Sequence, residues 1–200
     1  MHALLRLSQG IDRLNSQIGK YVLWLILAST VISGANAVVR KAFNYSSNAF
    51  LEVQWYLFAA AFMLTAGYTL LQGEHVKVDV IASRLSKRAQ IWIDIFGFAF
   101  FLTPVCLVVL WYGVPFFLQG YQSNEMSGNA GGLIRWPVYA LIPAGFVLLL
   151  LQGWSELIKR LAFLHGLIDD PTVKKIEKTP EEELAEAIRR QAEAQPSQPH

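Results

Sequence analysis

Glu74, His75, Lys77 and Asp79 crowd into one short stretch, "GEHVKVDVI", between Gly73 and Ile81. Carboxylates, an imidazole and an amine are the groups from which metal sites and acid–base pairs are built. On a helix His75 and Asp79 would share a face, four residues apart. Zinc, however, takes three or four protein ligands, and the other histidines are His2, His165 and His200. None of them falls inside an apolar run, which excludes the paired intramembrane histidines of a b-type haem. No phosphate-binding glycine loop and no Ser-His-Asp arrangement follows a predicted strand. The lone Cys106 has no cysteine to pair with and reads as a small buried apolar group. The sequence therefore points to no enzyme, and to no catalytic, cofactor or metal site in this chain. The charged stretch reads as a connector.

What it connects sets the class. The chain is 54 % hydrophobic and 16 % charged, against about 25 % charged in an ordinary soluble domain. Four segments, Val22–Val39, Val53–Gly73, Ile95–Asn124 and Pro137–Ser155, carry no Asp, Glu, Lys or Arg. About 20 apolar residues cross a bilayer as a helix, and a backbone in lipid must bond to itself. The expected fold is thus an all-α integral membrane domain over 21–164, with spans at about 21–40, 52–72, 91–118 and 136–158. The third is long for a perpendicular span, about 42 Å against a core of about 30 Å. Pro104 and Pro115 within it predict tilt with a kink or early stop near Pro115.

Residues 1–20 are read as an amphipathic interfacial helix. Leu4, Leu7, Ile11, Leu14 and Ile18 fall on one helical face; packing of that face on a partner protein is the competing reading. A short basic cytoplasmic helix is expected between spans two and three, through Ile81, Leu85 and Ala89. Residues 165–200 form a polar cytoplasmic tail with a short helix at about 180–194, capped by Thr179, Pro180 and Glu182. Arg6, Arg13, Lys20, Lys77, Arg84, Lys87, Arg88, Lys159 and Arg160 flank one side of the spans, and only Arg40, Lys41 and Arg135 the other. That bias places both termini in the cytoplasm. No cleavable signal pattern is visible, and the balance of charge gives no reason to expect nucleic acid.

Within the spans, Ser29, Ser33, Asn36 and Arg40 form a polar stripe on the first. Gln54, Ala61, Thr65, Tyr68 and Gln72 form one on the second. Small and polar residues at such spacing let helices approach and hydrogen-bond. Ionisable residues stand only near span ends, where Glu52 could pair with Arg40 or Lys41, Asp94 with Arg88, and Glu156 with Arg160.

Three stretches in order, "ANAVVRKAFNYSSNAFLEVQWYLF" (35–58), "GEHVKVDVI" and "NEMSGNAGGLIRWP" (124–137), resemble the small permease subunit of tripartite ATP-independent periplasmic (TRAP) transporters. The resemblance runs from about Lys20 to about Leu164. It implies a bacterial inner-membrane complex with a large permease, forming a heterodimer with this chain, and a periplasmic substrate-binding protein. It further implies import of an organic anion of the carboxylate class with sodium, the sodium ions being bound by the large permease. The small subunit would scaffold that permease among the membrane lipids. On this view Asn36, Arg40, Glu52, Trp55, His75 and Asp79 are expected to contact the large subunit, and Glu125 and Arg135 the binding protein. The alternative, a self-sufficient small exporter or channel, wants an ionisable residue within a span, and the span cores hold none.

Overall fold

The computed structural model describes residues 1–45, 47–73 and 85–171, with the backbone alone at His2. Met1–Asp170 form one compact unit, and every regular element described in it is helical. Helix α1 is His2–Phe43 and α2 is Asn48–Gln72. Helix α3 runs Lys87–Gln122, and α4 is Trp136–Leu164. All four are long and apolar enough to cross a membrane.

The first helix departs from expectation. No break near residue 20 separates an interfacial helix from a span; α1 is continuous for 42 residues, about 63 Å at the standard rise. Nor is the packed face the apolar one. Ser8, Ile11, Asn15 and Val22 are buried, while Leu4, Leu7 and Leu14 are exposed. Polar side chains that find partners on another helix can be buried in preference to leucines, because lipid gives leucine no reason to hide.

Helix α3 starts with Ser86 as N-cap, its hydroxyl accepting from the Ala89 amide at 3.4 Å. The helix therefore enters the third span directly from Lys87. The preceding residues of the expected cytoplasmic helix, 81–84, lie outside the described residues, as does the tail helix. Of the kink or early stop expected near Pro115, the stop does not occur, since α3 passes through Pro115 to Gln122. The irregularity falls earlier, in a π-helical segment over Gly97–Leu102. Pro104 explains it: a proline lacks an amide hydrogen and its ring pushes on the carbonyl four residues back. A wider turn ahead of it accommodates both. The Thr103 hydroxyl donates to the Phe98 carbonyl at 2.8 Å within that turn.

Helix α4 packs on all three others, α1 packs on α2 as well, and α3 packs chiefly on α4. Ser29 of α1 donates to the Gln54 carbonyl of α2 at 3.4 Å, so the expected polar stripes do meet at this point. At the Trp136 end of α4, Tyr121 and Phe117 of α3 close on Trp136, the Tyr121 and Trp136 rings edge to face at 5.4 Å.

Candidate functional site

The span interiors are apolar, and the polar chemistry gathers at two rims. The first is built around Glu52, in the second turn of α2. It is only 3 % exposed, yet no cation bridges it among the described residues. The expected pairing with Arg40 or Lys41 is not formed. Its carboxylate instead accepts from the loop that precedes α4. Ser127 Oγ and Asn129 Nδ2 (2.8 Å) donate to one oxygen, and the Leu133 amide donates to the other at 2.6 Å. A buried charge held by several donors is tolerable where a bare one is not.

The loop is shaped to make those donations. Met126 pairs with Ile134 as an isolated antiparallel bridge. The Ser127 amide reaches the Leu133 carbonyl at 2.9 Å, and the Arg135 amide the Glu125 carbonyl at 2.8 Å. Gly132 is required by contact: a Cβ there would stand 2.5 Å from Ser127 Cβ and 2.9 Å from Glu52 Oε1. Two further bonds fasten the loop to α2, from Asn48 Nδ2 to the Ala130 carbonyl at 2.9 Å and from Tyr56 Oη to the Ile134 carbonyl at 3.0 Å. Thus two of the recognisable sequence stretches meet, one supplying the acceptor and the other the donors.

The opposite rim joins α1, α3 and α4. Asn15 Nδ2 donates to Gln152 Oε1 at 2.9 Å, and Gln152 Nε2 donates to Asp12 Oδ1 at 2.8 Å. Ser155 Oγ donates to the same Asp12 oxygen at 2.7 Å and lies 2.7 Å from Ser8 Oγ. Lys159 bridges Asp12 (3.1 Å) and Glu156. Arg160 binds Glu156 and, at 2.8 Å, Asp94 of α3, with its guanidinium 4.7 Å above the Phe98 ring. The Glu156–Arg160 pair was expected; Asp94 turns to Arg160 rather than Arg88, because α4 presents its arginine across the helix boundary.

The other predicted contact residues are scattered. Asn36 is half-buried and Arg40 exposed on the upper turns of α1. Trp55 is 66 % exposed, a position open to a neighbour. Glu125 lies 3.6 Å from Arg135 and accepts from Tyr139 Oη at 2.8 Å, so the two come together. His75 and Asp79 lie outside the described residues. Sequence reading missed Asp12, Asn15, Gln152, Ser155 and Lys159 as a cluster. The one available signal was Gln152, an amide within an otherwise apolar run. No group of three or more metal-ligating side chains occurs among the described residues.

A four-span membrane protein with uncharged span cores and polar clasps at both rims is built to hold helices together. Its residues 29–163 match the family model of tripartite ATP-independent periplasmic transporters, DctQ component, and the chain belongs to that family. It is therefore a small membrane subunit of a TRAP transporter, a family of transport components and not of enzymes. Searches of curated proteins and of solved structures give no match to it.

Proposed function

We propose that this chain braces the large permease of a TRAP transporter in the bacterial inner membrane, as a heterodimer. In this reading the large permease carries the sodium and substrate sites and imports an organic anion of the carboxylate class. A periplasmic binding protein delivers that anion. The observation that carries the reading is the placement of charge. Every described buried acidic or basic residue, Glu52, Glu156 and Arg160, is committed to a contact at a rim, and no span core offers an ion or proton a charged side chain to step through. Such a protein can fix geometry but has no relay of its own.

The orientation follows the excess of Lys and Arg at the Asp12 rim, which puts that rim and both termini in the cytoplasm and the Glu52 rim in the periplasm. Arg40, Asn36 and Trp55 then face the large subunit, with Glu52 setting the geometry behind them. Glu125 and Arg135 face the binding protein.

The test is co-expression with the large permease of the same transporter and extraction in mild detergent. The two should co-purify, and Arg40→Glu should lower the yield of the pair while leaving substrate capture by the binding protein intact. Sodium-driven uptake into vesicles should require both membrane subunits. Uptake by this chain alone would overturn the reading, as would full transport in its absence.

A further inference from the structure

The first half of α1 carries three stripes, each with a seven-residue period. Ser8, Asn15 and Val22 are buried. Leu7, Leu14 and Tyr21 are exposed to 56 %, 43 % and 71 %. Arg6, Arg13 and Lys20 are exposed as well. A seven-residue step drifts by only about 20° on a helix, so each set forms a column. One column is fixed by contacts inside the protein, and the other two face outward side by side.

Charge on this segment is one-signed at the surface. Asp12 is the only acid between Met1 and Tyr21, and it is turned inward to Ser155, Gln152 and Lys159. Arg6, Arg13 and Lys20 have no partner among the described residues. The stripe also sits at the right height. A Cβ at Gly19 would overlap the Tyr68 ring, and α2 runs antiparallel to α1, ending at Gln72. With Gly67 set against Asn15 as well, the end of α2 is level with the turn of α1 between Gly10 and Asn15. Arg13 lies at that edge, with Lys20 about two turns to one side and Arg6 about two turns to the other, each roughly one Debye length from it.

We infer that the paired columns Arg6/Arg13/Lys20 and Leu7/Leu14/Tyr21 form a docking face for anionic phospholipid headgroups at the membrane surface beside α1. Lipid fits better than a protein helix. A helix partner wants apolar residues at both half-heptad positions. On one flank of the Leu7 column those positions are Gly10 and Gln17; on the other, Ile11 is buried and Ile18 half-buried in the protein itself, which leaves Leu4 as the exposed apolar neighbour. So narrow an exposed apolar strip suits a fluid surface that needs charge but no register. Arg and Lys stems lie along apolar surface while their heads reach phosphate. This inference stands apart from the scaffold reading.

The experiment uses the full-length chain in nanodiscs, with Cys106→Ala and a nitroxide on Gly10→Cys, a position between the two exposed columns. Collision with oxygen against a water-soluble nickel chelate reports depth. In discs containing phosphatidylglycerol the label should be shielded from the chelate; in phosphatidylcholine alone it should be accessible. Arg6→Gln, Arg13→Gln and Lys20→Gln should each shift the balance toward water by about fivefold. High salt on the protein with all three cations should do the same without any charge substitution. Chelate access unchanged by lipid composition would overturn the inference. So would shielding that arises only when the large permease is added, which would make the stripe a protein interface.

Discussion

The Leu133 amide donates to the Glu52 carboxylate at 2.6 Å across a sequence separation of 81 residues. With the bonds from Asn48 and Tyr56, it ties the loop ending at Arg135 to α2, and so helps set where α4 enters the membrane. Ser127 and Asn129 share the other oxygen of the same carboxylate. Replacing Glu52 by Gln leaves one acceptor oxygen and turns an amide toward either Leu133 or the Ser127–Asn129 pair. Replacing it by Ala leaves no acceptor. Limited proteolysis in detergent should therefore show the loop at 123–135 cut slowly in wild type, faster in Glu52→Gln and fastest in Glu52→Ala.

Gly132→Ala should act on the same clasp by crowding it. The added methyl would press on Ser127 and on the carboxylate it serves. Overpacking of this kind costs about 1–3 kcal/mol. Reversible unfolding in mixed micelles should show that loss, with the four-helix content retained.

Gly67→Ala tests the contact between α2 and the other rim. A Cβ there would collide with Asn15 Oδ1 and stand 3.0 Å from the Leu148 carbonyl. The expected cost is about 1–3 kcal/mol. Asn15→Ala removes one of the two obstacles, so the double variant should lose less than the sum of the single ones. Strict additivity in an unfolding assay would contradict the contact.

Arg160 links Asp94 of α3 to Glu156 of α4. Arg160→Met should destabilise by about 1–3 kcal/mol, because half-buried Asp94 loses its partner while Glu156 keeps Lys159 and Gln152. A cycle with Asp94→Asn should show a coupling of about 0.5–3 kcal/mol. The same cycle between Arg160 and exposed Arg88 should show none.

Much of this architecture was legible from the chain. Four uncharged runs dictate four helices, since a lipid-exposed backbone has no other way to satisfy itself. The pairing Glu156–Arg160 was legible because both sit on one helix, four residues apart. Glu52 and Asp94 were misassigned for the complementary reason. Their natural partners by proximity in sequence were Arg40, Lys41 and Arg88, whereas the partners they take arrive from helices or loops dozens of residues away. The continuity of α1 was hidden too. Its apolar face suggested a separate helix on the membrane, but the polar side of Ser8 and Asn15 was the one with bonds to make. The π-helical turn was signalled by Pro104 only as an irregularity, with no indication of which side would absorb it.

The unbroken course of α1 has a mechanical consequence. Between His2 and Phe43 it contains no proline and no irregular turn, so it behaves as a stiff lever about twice as long as the bilayer core is thick. Its lower arm is pinned to α4 through Asp12 and Ser8, while the turns around Arg40 stand free of the bundle's interior. A lateral force applied to that upper arm by a moving neighbour would reach the opposite face of the membrane as torque on the Asp12 pin, with no joint between to dissipate it.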